Sequence, residues 1–214
     1  AGMGRGQVGD PKEAGGGGRG MTDDGFTYND DLHEYRLRGQ LLPHTTGIID
    51  ACGLISDFCK KEEYRLRGHI VHRAMALFGM GKLDWSTVDV RIMGYILSGV
   101  RFYEEVKFKP VIIETPDYHP DFLYGFTADA VGSSNLGDLL PDFKTGVAAK
   151  LSTRLQLASY KEPMKRKYGG KFRTVAVELD SEGRTPNLKF YGNDRADFNN
   201  FISCLNVARL KEAM

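Results

Sequence analysis

Residues 125–145 read GFTADAVGSSNLGDLLPDFKT, and the fold turns on how this stretch is divided. Leu123 to Gly132 has the composition of a strand, residues 133–137 (SSNLG) supply a turn, and Asp138 to Thr145 has the pattern of a second strand. Side chains two apart on a strand share a face. Asp142 and Lys144 therefore project together, while Phe143 points the other way into packing. A turn that brings Asp129 alongside would gather two carboxylates and an ammonium in a small volume. Hard oxygen ligands of this kind suit Mg²⁺ or Mn²⁺. Such an ion polarises a phosphoryl oxygen and lowers the pKa of a bound water. A neighbouring lysine can orient that water and offset charge developing on the phosphate. The competing reading of an Asp-x-Lys pair is a solvated strand face.

Working outward, the residues from Arg36 to Pro43 suggest a short strand ending at the proline. Thr45 and Thr46 offer an N-cap for a helix through Ile48, Ile49 and Cys52, stopped by Gly53. A second helix starts near Glu62 and ends at Gly79 and Gly81; a third runs from about Thr87 to Glu105. Val106 to Thr115 reads as the strand before the quoted stretch. After it come a helix from Lys150 to about Lys167, strands at Phe172 to Leu179 and Asn187 to Tyr191, and a closing helix from Asp194 to Ala213. This succession predicts an α/β layered domain over 21–214 around a small mixed sheet. Residues 1–20 hold nine of the 26 glycines and almost no apolar side chains, so they read as a disordered leader or added segment, with Met21 a credible start.

Composition narrows the class. The chain has 214 residues, 41% hydrophobic and 27% charged, which suits a globular domain with a full core. Lys and Arg total 29 against 28 Asp and Glu, so any nucleic-acid surface must be a local patch. No apolar run reaches the length of a membrane span. Three scattered cysteines, Cys52, Cys59 and Cys204, argue against a disulfide framework and for a reducing compartment such as bacterial or phage-infected cytoplasm.

Three further features bear on the Asp142 and Lys144 pair. His72 shares the second helix's inward face with Met75 and Ala76, where a neutral imidazole can ligate a metal or simply sit in the core; His69 is its competitor. Gln156 and Tyr160 lie one above the other on the helix that follows, placed to bind a phosphate or brace the lysine. Glu114 ends the preceding strand as a nearby acid.

Taken in order, Gly68-x-x-x-His72, Glu114, Gly125-x-x-x-Asp129, Asp142-x-Lys144-Thr145 and Gln156-x-x-x-Tyr160 resemble the PD-(D/E)XK nuclease superfamily, and within it the RecB-like branch that includes small phage exonucleases. The likeness spans roughly residues 40 to 180, and 42–49 (LPHTTGII) is similar to a segment that opens many phage members. The resemblance implies a restriction-endonuclease-like αβββαβ core with a small mixed sheet flanked by helices. It implies His72, Asp129, Asp142 and the backbone carbonyl of Phe143 as ligands of Mg²⁺ or Mn²⁺. It makes Asp129, Asp142 and Lys144 catalytic, with Glu114 as the upstream acid and Gln156 and Tyr160 on the substrate side. The expected activity is metal-dependent hydrolysis of DNA phosphodiesters, first as an exonuclease at single-stranded or duplex ends in recombination, repair or phage DNA processing, with a possible protein partner. An endonuclease of the same fold, or a catalytically weak DNA-binding subunit, is the alternative.

Two departures stand against the pattern. Pro141 precedes Asp142, and a proline cannot donate to a ladder, so the strand is expected to be bulged or unpaired there. Iron–sulfur relatives need four cysteines flanking the core, and three predict no cluster. Contact with DNA is expected from Lys165, Arg166 and Lys167, with Lys161, Lys171, Arg173 and the aromatic Tyr168 and Phe172 nearby; the competing reading is a solvated helix end whose basic residues complement the helix dipole.

Overall fold

The computed structural model describes residues 22, 24–55, 61–147 and 151–214. The expected leader over 1–20, Met21, Cys59 and Lys150 lie outside the described residues. The chain is mixed α/β. A three-stranded antiparallel sheet, β1 (Phe26–Asn29), β2 (Glu34–Leu37) and β3 (Gln40–Leu42), leads into helix α1 (Thr45–Ala51). Helices α2 (Glu62–Gly79) and α3 (Val90–Glu105) follow. A five-stranded mixed sheet is then built from β4 (Lys109–Tyr118), β5 (Gly125–Ser133), β6 (Leu139–Lys144), β7 (Arg173–Glu178) and β8 (Asn187–Phe190), in that spatial order. Helix α4 (Leu151–Tyr168) crosses from β6 to the parallel β7, and α5 (Asp194–Glu212) closes the chain.

The large sheet is covered on both faces, which strand alternation explains. Leu140 and Ala176 pack toward α1, α4 and α5 with Ile48, Leu157 and Phe201. Leu139, Phe143, Val175 and Val177 pack the other way, against Val71 and Met75 of α2 and Ile96 and Phe102 of α3. Each buried large apolar side chain contributes about 1.5–3 kcal/mol, so β6 and β7 are anchored from two sides.

The stretch from Arg36 to Pro43, expected as one short strand, is instead the turn of a hairpin between β2 and β3. Arg38 and Gly39 take φ of 51° and 82°, the pair of left-handed residues that a tight two-residue hairpin turn demands. β1 carried no clear signal, being four residues with a polar end. The sheet docks on the start of β5, where the ring of Tyr35 passes over Gly125; a Cβ there would lie 2.2 Å from Tyr35 Cγ. Its hydroxyl meets Thr127 Oγ1 at 2.9 Å.

Two caps also differ from expectation. α1 is capped by His44, whose Nδ1 accepts from the Gly47 N–H at 3.3 Å, rather than by Thr45 or Thr46, which are inside the helix. Residues 85–87 form a separate 3₁₀ turn, and α3 begins only after Asp89, whose carboxylate accepts from the Arg91 N–H. Among the described residues no helix is long and apolar enough to cross a membrane.

A candidate metal centre in the cleft beside strand β5

The site begins with a break in a ladder. β5 and β6 are register partners only at Gly132 and Leu139. Beyond that pair the backbones part, and the Asp129 carboxylate enters the gap: its Oδ2 accepts from the Phe143 N–H at 2.7 Å. The Phe143 carbonyl leaves the strand on the same side as its N–H and so faces the same gap. Pro141, two residues back, also turns its missing donor to this side, while its register with Val175 of β7 is unbroken. The strand is therefore not bulged at Pro141; it is unpaired there on one edge alone.

Opposite Asp129 on β4, Glu114 has φ 42°, a left-handed conformation that a glutamate adopts only under constraint. From α2, His72 Nδ1 reaches Asp129 Oδ1 at 3.1 Å. His72, Glu114 and Asp129 each offer a ligand atom, and these atoms lie within 4.8 Å of one another, a group able to hold a metal ion. The inward histidine is thus His72, and its competitor His69 is exposed on the cleft rim.

Asp142 is fully buried. Its Oδ2 forms an ion pair with Lys144 Nζ at 2.8 Å, and neither carboxylate oxygen has a partner in hydrogen-bond geometry among the described residues. Asp142 and Lys144 do share a face, and Phe143 packs away from them with Phe102 and Val177. Lys144 Nζ also donates to Gln156 Oε1 at 2.9 Å, and Gln156 Nε2 donates to the Tyr160 hydroxyl at 2.8 Å. Of the two roles open to Gln156 and Tyr160, bracing the lysine is the one this chain of bonds performs. Tyr160 is itself held by stacking on Phe126, with centroids 5.7 Å apart.

Burial and proximity set the charges. Burial opposes charge on His72, yet the Asp129 carboxylate outweighs it and lifts the imidazole to about 9. Burial likewise acts against Asp129, but His72, Lys144 and the Phe143 N–H hold its pKa below the usual range. Glu114 is raised to about 7 by burial and by repulsion from Asp129. Burial also pushes Asp142 up, against the pull of Lys144. Displaced carboxylate pKa values gathered in one cleft are a common mark of a functional site.

The cleft has a volume of about 830 Å³. Sequence reading missed one of its walls: Tyr28, His33, Tyr35 and His44 from the small sheet and its exit. The signal was present only as ring residues scattered over 28–44, whose meeting needs the hairpin.

The basic cluster expected to contact DNA lies elsewhere. Lys165, Arg166 and Lys167 end α4. Arg166 pairs with Asp121, Lys167 with Asp117 at 2.7 Å, and Lys161 with Asp194. Arg173 lies over the Phe190 ring. These partners belong to the far end of β4, its turn, β8 and α5, and none of the cluster lines the cleft.

No family model matches the chain, and neither does any curated protein, so side-chain geometry carries the functional reading.

Proposed function

We propose that this chain is a metal-dependent nuclease that hydrolyses DNA phosphodiesters, first of all at DNA ends. The observation that carries the reading is the juxtaposition of the Asp142–Lys144 pair with the His72, Glu114 and Asp129 group at an opened strand edge. The order α3, β4, β5, β6, α4, β7 supports a restriction-endonuclease-like core within the mixed α/β fold.

The residues fit a divalent cation. Both oxygens of Asp142 are buried without a hydrogen-bond partner among the described residues, with only the Lys144 ion pair beside them, an arrangement costly unless a cation or proton relieves it. The donor set is carboxylate oxygen plus one imidazole, which suits Mg²⁺ or Mn²⁺. His72, Glu114, Asp129 and Asp142 would hold the ion, with the Phe143 carbonyl at the same gap. When bound it supplies a water of lowered pKa and polarises a phosphoryl oxygen. Lys144 has three donors; Gln156 accepts from one, Asp142 sits beside Nζ as its counter-charge, and a donor remains for a phosphate oxygen or the attacking water.

The test is cleavage of end-labelled single-stranded, linear duplex and closed circular DNA with Mg²⁺, Mn²⁺ or EDTA, with Lys144→Ala run beside the parent. Metal-dependent loss of linear DNA alone, at least about 10²-fold slower in the variant, is the expected result. Cut circles would make the enzyme an endonuclease. A fully active Lys144→Ala protein would sink the assignment, and binding without turnover would make the chain a DNA-binding subunit.

A further inference from the structure

The cleft has two walls of different chemistry. One is the exposed face of α2. Arg65, His69 and Arg73 follow at four-residue steps, so they form one line along the helix with about 6 Å between neighbours. All three are exposed, and no hydrogen bond or ion pair engages their side chains among the described residues. Arg65 and His69 line the cleft, and Arg73 is close enough to Glu114 for its charge to act there. The line thus runs along the cleft to the candidate metal centre. The opposite wall carries rings. Tyr28 and His33 meet edge to face at 5.9 Å, His33 meets His44 at 5.0 Å, and His33 itself is exposed. Asp30 and Asp31 stand beside it at the rim.

On the strength of the nuclease reading above, we propose that this cleft takes one single strand of DNA, its phosphates along Arg65, His69 and Arg73 and its bases against the Tyr28 and His33 wall. Unpaired strands are held by a cationic track on one side and ring surfaces on the other. A duplex would carry phosphates to both walls, and Asp30 and Asp31 would repel the second strand. The α4 cluster is a poor alternative, because Lys161, Arg166 and Lys167 are each matched to a carboxylate within the fold. Helix α2 also bears His72, so a strand laid along it is delivered to the metal centre.

Fluorescence anisotropy tests this with the full chain in EDTA, using labelled oligothymidylate, an abasic oligomer of equal length and a blunt duplex, between about 50 and 200 mM salt. The parent should bind oligothymidylate more tightly than duplex. Arg65→Ala with Arg73→Ala should lower the slope of log K against log salt by about 1.4, since each single-strand phosphate contact contributes about 0.7. Lys165→Ala, Arg166→Ala and Lys167→Ala together should leave that slope in place. His33→Asn, a residue that tolerates the left-handed φ of 51° at this position, should weaken oligothymidylate binding about fivefold or more and leave the abasic oligomer unaffected. Circular-dichroism melts identify any variant that fails to fold. An unchanged slope in the arginine double variant, a reduced slope in the α4 triple variant, or equal affinity for duplex overturns the proposal while the nuclease reading stands. A parent that binds none of the three probes and cleaves no DNA overturns both.

Discussion

Strand β6 has two edges, and the chain uses them differently. Toward β7 the parallel register holds from Leu139 opposite Arg173 to Lys144 opposite Glu178. Toward β5 it ends at Leu139, and the next donor on that side, the Phe143 N–H, is taken by a side chain, the Asp129 carboxylate. One edge is structural and closes the core; the other exchanges backbone partners for a carboxylate and opens into a cleft. Pro141 is tolerated because it faces the opened edge, where no ladder needs its N–H. A site of this kind requires a complete edge behind it, since each buried backbone group left unpaired costs about 1–3 kcal/mol.

The sharpest way to break the comparison is Asp129→Ala. It removes a proposed ligand and orphans the Phe143 N–H. Cleavage should fall by about 10³-fold or more, and stability in urea by about 1–3 kcal/mol. Retained cleavage would put the chemistry elsewhere. Leu140→Ala probes the packed face that the closed edge supports. The side chain is fully buried between β6 and the layer of α1, α4 and α5. Its loss should cost about 2–5 kcal/mol of folding stability, with the cleavage rate per folded molecule nearly unchanged at low temperature. A parallel collapse of that rate would show that the two edges are not separable.

The same contrast marks what was legible in the sequence. Asp142, Phe143 and Lys144 could be assigned to faces because strand periodicity is local, and the structure places them so. His72 could be turned inward from its helical spacing. The opened edge could not be read: it depends on the side chain of Asp129 entering a register set by residues ten or more positions away. The constrained backbone of Glu114 is invisible for the same reason, since glutamate favours no such conformation. The ring wall required the hairpin at Arg38 and Gly39, two residues without the Asn-Gly signal such turns usually carry. The partners of the basic run at the end of α4 could not be read either, because charge in sequence does not show what it meets; Asp117 and Asp121 come from another strand and its turn.

A smaller effect is expected one step back from the opened edge. Among the described residues the Gln156 side chain hydrogen-bonds Lys144 and Tyr160 and none of the proposed ligands, so it fixes Lys144 Nζ through its Oε1. Gln156→Ala should lower kcat by about 10–100-fold, the usual cost of losing an orienting partner in a metal site. KM and folding stability should be close to the parent's. A rise in KM with kcat unchanged would instead make Gln156 a substrate contact, the other role its position on α4 allowed.

The smallest effect concerns the junction between β3 and α1. His44 caps α1 through Nδ1, which must be unprotonated to accept from Gly47. Burial, with His33 nearby, holds its pKa at about 4, below the ordinary value of 6.5. The unfolded chain therefore takes up this proton first. The stability tied to the neutral ring is complete above pH 6.5 and is lost progressively as pH falls toward 4. His72 acts in the opposite sense, because Asp129 raises it, so a bare comparison of two pH values mixes the two histidines. His44→Asn separates them: it keeps a side-chain acceptor at the cap and has no proton to gain. Unfolding free energies from urea titrations at pH 7 and near pH 4.5 should differ less in the variant than in the parent, by about 1 kcal/mol or more. Equal pH dependence in the two proteins would mean that the cap is held by something other than the neutral imidazole.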